Sequence, residues 1–152
     1  MIDQQARTIH ARRLRSLIQG RITNDEYEDS VPASKDPAVY EIFARGGWHL
    51  YGDLEEYRLT GKHALPPESK SIAARWIMFL RSEEPYLWAP KTGRAFIQTV
   101  FYLATFGLAF RQQVEQRRAT DRNGNTEFWP FYDEEQFHRA LLKPSYLNKN
   151  DG

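Results

Sequence analysis

One apolar segment, residues 95–110, constrains the fold of this chain more than any other feature. It reads AFIQTVFYLATFGLAF, and only Gln98, Thr99, Tyr102 and Thr105 carry polar side-chain groups. As an α-helix it would be about 24 Å long, which is short of the roughly 30 Å hydrocarbon core of a bilayer. Basic residues flank it on both sides, so no charge asymmetry orients it across a membrane. We expect a buried core helix, with membrane insertion or a membrane-surface role as the alternative.

The rest of the chain carries apolar side chains that can cover this segment. The 152 residues suffice for one domain, and 14% of them are aromatic, so a core can form without a metal or a disulfide. Apolar residues recur at three- and four-residue steps in several segments, which is the periodicity of amphipathic helices. We predict a mainly α, single-domain bundle of about five helices, in which the amphipathic helices wrap the apolar one.

The N-terminal sequence LRSLIQGRITNDEYED predicts a helical hairpin. Gly20 suits the left-handed position just after a helix end. Thr23 and Glu26 follow the T-x-x-E pattern of a capping box, which starts a second helix. We assign this hairpin to residues 1–31.

We assign the following chain to a helical body, residues 36–145, and a flexible tail, residues 146–152. Asp36 can cap a helix, and apolar periodicity continues from there as far as Gly61. A Gly-Gly pair in the middle of this segment would kink the helix or allow a close contact with another helix. Further helix starts are predicted at Pro66-Pro67 and at Asp133.

Two aromatic segments that contain proline are candidates for short extended structure. They are YLWAP, residues 86–90, and TEFWPF, residues 126–131. A minimal two-strand β contact between them is one expectation, and an all-α chain is the other.

Composition and charge narrow the classes of function. The chain has no cysteine, which excludes disulfides, thiolate metal sites and a cysteine nucleophile. The first residues contain no apolar run of the kind that a secretory signal needs, so we expect a cytoplasmic protein. Residues 1–23 carry a net charge of +4 and residues 24–68 a net charge of −6. Nucleic-acid binders are more consistently basic, so we expect no nucleic-acid partner.

One group of side chains could hold a divalent metal. On a continuous helix His49 and Asp53 would lie four residues apart on one face, with Glu56 one turn further and His63 beyond the turn. A metal-dependent hydrolase using these four residues is therefore one hypothesis, although the spacing matches no established zinc motif. The alternative is a solvated helix face whose charges pair with one another.

Other catalytic or binding motifs are weaker. No nucleophile elbow and no phosphate-binding glycine loop occurs in the sequence. Basic residues near the start and after the apolar segment could form one positive patch, or could be ordinary solvated charges. They are Arg12, Arg13, Arg15, Arg117 and Arg118. An aromatic set could form a stacking platform, although such residues are more often core. It consists of Trp88, Phe128, Trp129 and Phe131.

The hairpin sequence LIQGRITNDEYED resembles the short bacterial module called SHOCT. That module has a leucine-bearing helix, a G-x-I-T turn and an acidic second helix, and the likeness covers residues 12–29. The resemblance implies an interaction element. More broadly, ITNDEYED, RLTGKHAL, RWIMFLRS and EFWPF look like segments of small bacterial proteins of unassigned function. This wider likeness implies a bacterial cytosolic domain and supplies no catalytic residues.

We therefore predict a non-catalytic interaction or structural protein that needs no cofactor. Its partner would be an unidentified protein or a second copy of the chain. The hairpin would use its apolar residues to dock on the body or to pair with another copy. These residues are Leu14, Leu17, Ile18, Ile22 and Tyr27. The metal-dependent hydrolase and membrane association through residues 95–110 are the two alternatives.

Overall fold

Helices dominate the part of the chain that the structure, a computed structural model, describes: residues 1–52, 54–88 and 124–142. The predicted mainly α class is confirmed. The described α-helices are α1 (Gln4–Ile18), α2 (Asn24–Asp29), α3 (Pro37–Arg45), α4 (Pro67–Arg81) and α5 (Glu134–Leu142). Three short 3₁₀ turns join them, at Gly47–Leu50, Gly61–His63 and Thr126–Phe128. The apolar segment 95–110 and the tail 146–152 lie outside the described residues.

The hairpin of α1 and α2 has the predicted turn. Gly20 has a φ of 66°, and its N–H donates to the carbonyl of Leu17 at 2.9 Å. The Oγ1 atom of Thr23 accepts from the N–H of Glu26 at 3.1 Å, and the carboxylate of Glu26 accepts from the N–H of Thr23 at 2.8 Å. The capping box is therefore confirmed, with both of its hydrogen bonds in place.

Helix α3 is shorter than its sequence pattern indicates. Its start agrees with the prediction, since the carboxylate of Asp36 accepts from the N–H of Ala38 at 3.0 Å. The expectation of one kinked helix continuing to Gly61 is wrong, because α3 ends at Arg45 and a 3₁₀ turn follows. Gly46 leaves helical geometry, with φ −120° and ψ −80°. Gly47 then lies against the ring of Tyr27, where a Cβ atom would be 2.2 Å from the tyrosine hydroxyl.

The expected β contact between residues 86–90 and 126–131 is not found where these segments are described. Thr126–Phe128 forms a 3₁₀ turn capped by the Asn125 side chain, and residues 86–88 are irregular. The two segments do meet, through a hydrogen bond from Trp88 Nε1 to the carbonyl of Phe131 at 3.1 Å. A side chain therefore makes the contact that a backbone ladder was expected to make.

The core lies mainly between α1 and α4, with α2, α3 and the segment before α5 packed around them. Its fully buried apolar side chains come from every described helix except α5, and one comes from the segment just before α5. They include Leu14, Leu17, Tyr27, Ile42, Phe79, Leu80 and Phe131. Among the described helices, none combines the length and the apolar character needed to cross a membrane.

A buried ion pair ties three helix ends together. Arg7, whose side chain is 0% exposed, donates to the carboxylate of Asp36 at 2.5 Å. The same guanidinium donates to the carbonyl of Glu84 at 2.8 Å and lies over the ring of Phe79, 5.1 Å from its centroid. A buried charge without such partners would be strongly destabilising, so this clamp sets the positions of α1, the start of α3 and the end of α4.

Candidate interaction surface

The apolar residues predicted as the hairpin's interaction surface pack within the chain itself. Leu14, Leu17 and Tyr27 are 0% exposed, and Ile18 and Ile22 are partly buried against the same core. While the hairpin is docked, Leu14, Leu17 and Tyr27 are therefore not accessible to a partner, and Ile18 and Ile22 are accessible only in part. A surface for a partner has to be sought in the residues that this packing leaves outside.

Tyr27 lies at the centre of the hairpin's contacts. Its hydroxyl is 2.8 Å from Nε2 of the buried His10. Burial lowers the pKa of His10 to about 4, and a weaker interaction with the backbone of Val39 opposes that shift. Nδ1 of His10 makes no hydrogen bond of good geometry within the described ranges. Burial also raises the pKa of Tyr27 above its usual range. Both groups are held neutral in the core.

From Tyr27 a series of aromatic contacts leads outward to the surface. The ring of Phe43 is 5.8 Å from that of Tyr27, and the ring of Trp48 is 5.6 Å from that of Phe43 in an edge-on arrangement. Tyr40 packs edge-on against Phe43 at 6.4 Å, and Tyr51 contacts both Tyr27 and Trp48. We call Tyr40, Phe43, Trp48 and Tyr51 the aromatic face.

The outer members of the aromatic face are open to solvent. Tyr40 is 51% exposed and Trp48 is 39% exposed. Each of the two packs edge-on against Phe43, which itself packs on the buried Tyr27. The exposed rings therefore rest on the core, which limits the conformations they can adopt.

Carboxylates border the aromatic face. Burial raises the pKa of Tyr51, and an interaction with the carboxylate of Glu28, on α2, raises it further. The buried amide of Asn24 donates to the carbonyl of Glu55 at 3.0 Å and accepts from the N–H of Tyr57 at 2.8 Å. These bonds bring the loop after the 3₁₀ turn alongside α2.

We call the resulting group of carboxylates the acidic rim. Its members come from α2 and from the loop that Asn24 holds against it. They are Asp25, Glu26, Glu28, Asp29, Glu55 and Glu56. Glu56 accepts a hydrogen bond from the Thr23 hydroxyl at 2.8 Å. Within the described ranges none of the six forms an ion pair.

The described members of the candidate metal set, His49, Glu56 and His63, do not lie on one helix face. The premise of a shared face was wrong, because α3 ends at Arg45, before any of them. His49 is exposed in a 3₁₀ turn, and the ring of His63 stacks on Tyr57 at 4.3 Å. Glu56 belongs to the acidic rim, and Asp53 lies outside the described residues. In the part of the chain that is described, no three His, Asp or Glu side chains are grouped as a metal site would require.

The predicted basic patch is only partly described. Arg12, Arg13 and Arg15 are exposed on α1, whereas Arg117 and Arg118 lie outside the described residues. Convergence of the two groups stays a prediction. Of the aromatic set proposed as a platform, Trp88 and Phe131 are buried core residues, and Phe128 and Trp129 are partly buried against the core.

The aromatic face was missed because its residues were assigned to one amphipathic helix. The glycine pair at 46–47 was the available signal: directly after it, Trp48 follows a break in the helix and its direction cannot be read from helical periodicity.

No protein-family model, curated protein or solved structure matches this chain. The likeness of the hairpin to SHOCT modules stays a prediction from the sequence.

Proposed function

We propose that this protein is a non-catalytic interaction protein that binds a partner polypeptide through the aromatic face. The observation that carries the proposal is the exposure of Tyr40 and Trp48 on top of rings that reach the core. Aromatic side chains are enriched at the centres of protein interfaces, and tryptophan and tyrosine are frequent hot spots. Rings already held in place lose little conformational entropy on binding.

The buried ionisable groups have roles in holding the fold together. Arg7 and Asp36 satisfy each other, and His10 is held neutral against Tyr27. Such groups hold the helices in position. Among the described residues, we therefore assign partner binding to the aromatic face and its rim. The partner is an unidentified protein or a second copy of this chain.

We also propose a cytoplasmic location, which the absence of cysteine in the sequence supports. Fractionation of the cells that make the protein tests this location, and recovery in a membrane or extracellular fraction would contradict it.

Site-specific photocrosslinking tests the interaction. The photoreactive residue p-benzoylphenylalanine would replace Tyr40, and in a control variant it would replace His138, whose side chain is exposed on α5. Irradiation in cells should give a covalent adduct with a polypeptide at position 40 and not at position 138. A further change, Trp48→Ser, should reduce the adduct at position 40. Equal adducts at both positions, or none at position 40, would refute the proposal.

A further inference from the structure

We propose that the segment bound at the aromatic face is an extended basic peptide, with arginine side chains stacked on Trp48 and paired with the acidic rim. This inference rests on the proposed function and adds the chemistry of the partner.

The rim adjoins the aromatic face directly. Tyr51 contacts Trp48 at 6.5 Å between ring centroids, and it contacts Tyr27, which lies on α2, at 6.2 Å. The helix α2, which carries four of the rim's carboxylates, therefore packs next to the aromatic face. Arg58, joined to Thr23 by an isolated β-bridge, brings one positive charge to the same region. The six carboxylates of the rim outnumber it, so a cationic partner is favoured over an anionic one.

The distribution of the carboxylates favours a chain of separated charges over a single ion. The rim is divided between α2 and the loop carrying Glu55 and Glu56, and the described residues contain no grouping of three ligands around one point. A metal ion needs several ligand atoms within about 2.0–2.6 Å of it. An extended peptide can instead place successive positive charges against separate carboxylates.

The exposed indole favours arginine. A planar guanidinium stacks on an aromatic ring, and tryptophan is the strongest partner for such a contact. The described residues make this contact twice, with Arg7 over Phe79 at 5.1 Å and Arg45 over Trp129 at 5.2 Å. Trp48 has its ring partly open, so one arginine of an extended peptide could stack on it while other arginines pair with the rim.

Fluorescence anisotropy with a labelled synthetic peptide tests the inference. The probe is a peptide of about twelve residues with four arginines spaced by glycine and serine, and the matched probe has citrulline in place of arginine, which removes the charge. The arginine peptide should bind. The citrulline peptide should bind at least about tenfold more weakly. Raising the salt from about 0.05 M to about 0.3 M should weaken binding severalfold, because exposed charges are then screened.

Variants locate the binding. Trp48→Ser should weaken it about tenfold, in the range of an interface hot spot. The double change Glu28→Gln and Asp29→Asn should weaken it severalfold, whereas Glu83→Gln, an exposed carboxylate after α4, should leave it unchanged. Tyr40→Ser serves as a second aromatic variant, and thermal unfolding of each protein verifies that it is folded.

The outcomes separate this inference from the proposed function. A crosslinked partner at position 40 whose bound segment is neutral or acidic would overturn the basic peptide and leave the interaction role standing. An adduct between two copies of the chain would do the same. Equal binding of the arginine and citrulline peptides, or no effect of Trp48→Ser and of the rim variant, would also overturn it. Failure of crosslinking at position 40 would remove both proposals.

Discussion

The buried pair of His10 and Tyr27 predicts how the stability of this protein depends on pH. His10 is 0% exposed, and its pKa is lowered from 6.5 to about 4 because burial disfavours the charged ring. In the unfolded chain the imidazole regains its ordinary pKa. Between pH 6.5 and about 4 the unfolded state therefore binds more protons than the folded state. The free energy of unfolding must fall as the pH falls through this window.

The size of the effect follows from the shift. One unit of pKa corresponds to about 1.4 kcal/mol, so lowering the pH from about 7.5 to about 4.5 should reduce stability by about 2.5 kcal/mol through this residue. Well above pH 6.5, where the ring is neutral in both states, the contribution is constant. For a domain with a total stability of about 5–15 kcal/mol, such a loss is readily measured.

Urea unfolding followed by circular dichroism checks this prediction. The wild-type protein is compared with His10→Gln, which can still hydrogen-bond Tyr27 and does not titrate, at several pH values from about 7.5 to about 4.5. The stability advantage of the wild type over this variant should shrink by about 2.5 kcal/mol across that range. His138→Gln is the control, because it removes an exposed histidine that does not pack in the core. Parallel profiles for wild type and His10→Gln would refute the reasoning.

Three further predictions concern stability and can be measured by the same unfolding assay. Arg7→Met alone or Asp36→Asn alone should lower the free energy of unfolding by about 3–5 kcal/mol, because each change leaves a buried partner unsatisfied. Changing both residues to apolar ones should lower it by less than the sum of the two single effects. Gly47→Ala should cost about 1–3 kcal/mol, since the new Cβ would overlap the Tyr27 hydroxyl, and a neutral effect would contradict the close packing. Thr23→Ala should cost about 1 kcal/mol by removing the capping box, and no loss would show that the cap is dispensable.

The candidate interaction surface was only partly predictable. The acidic charges of α2 and the central position of Tyr27 follow from the hairpin pattern. The exposure of Trp48 does not, because it depends on where the backbone turns at Gly46 and on which ring occupies the space beside Gly47. When helical periodicity is continued past the end of a helix, it assigns the residues after that end to the wrong face.

Two arginines of α1 also differ in burial in a way that the local sequence does not predict. Arg13, assigned from the sequence to a basic patch, is exposed, whereas Arg7, which no sequence pattern singled out, is buried. Arg7 can be buried because Asp36 and the carbonyl of Glu84 meet its guanidinium. Both partners are far away in the chain, and nothing in the sequence around Arg7 indicates them.

The sequence by itself determined the helical class, the hairpin turn at Gly20 and the helix starts at Thr23 and Asp36. These features depend on hydrogen bonds and backbone angles among residues within a few positions of one another, which chain connectivity keeps close. Only the tertiary structure decided that Arg7 and His10 are buried and that Trp48 reaches the surface. Those outcomes depend on packing between segments tens of residues apart, where each side chain's environment is set by partners that local sequence does not specify.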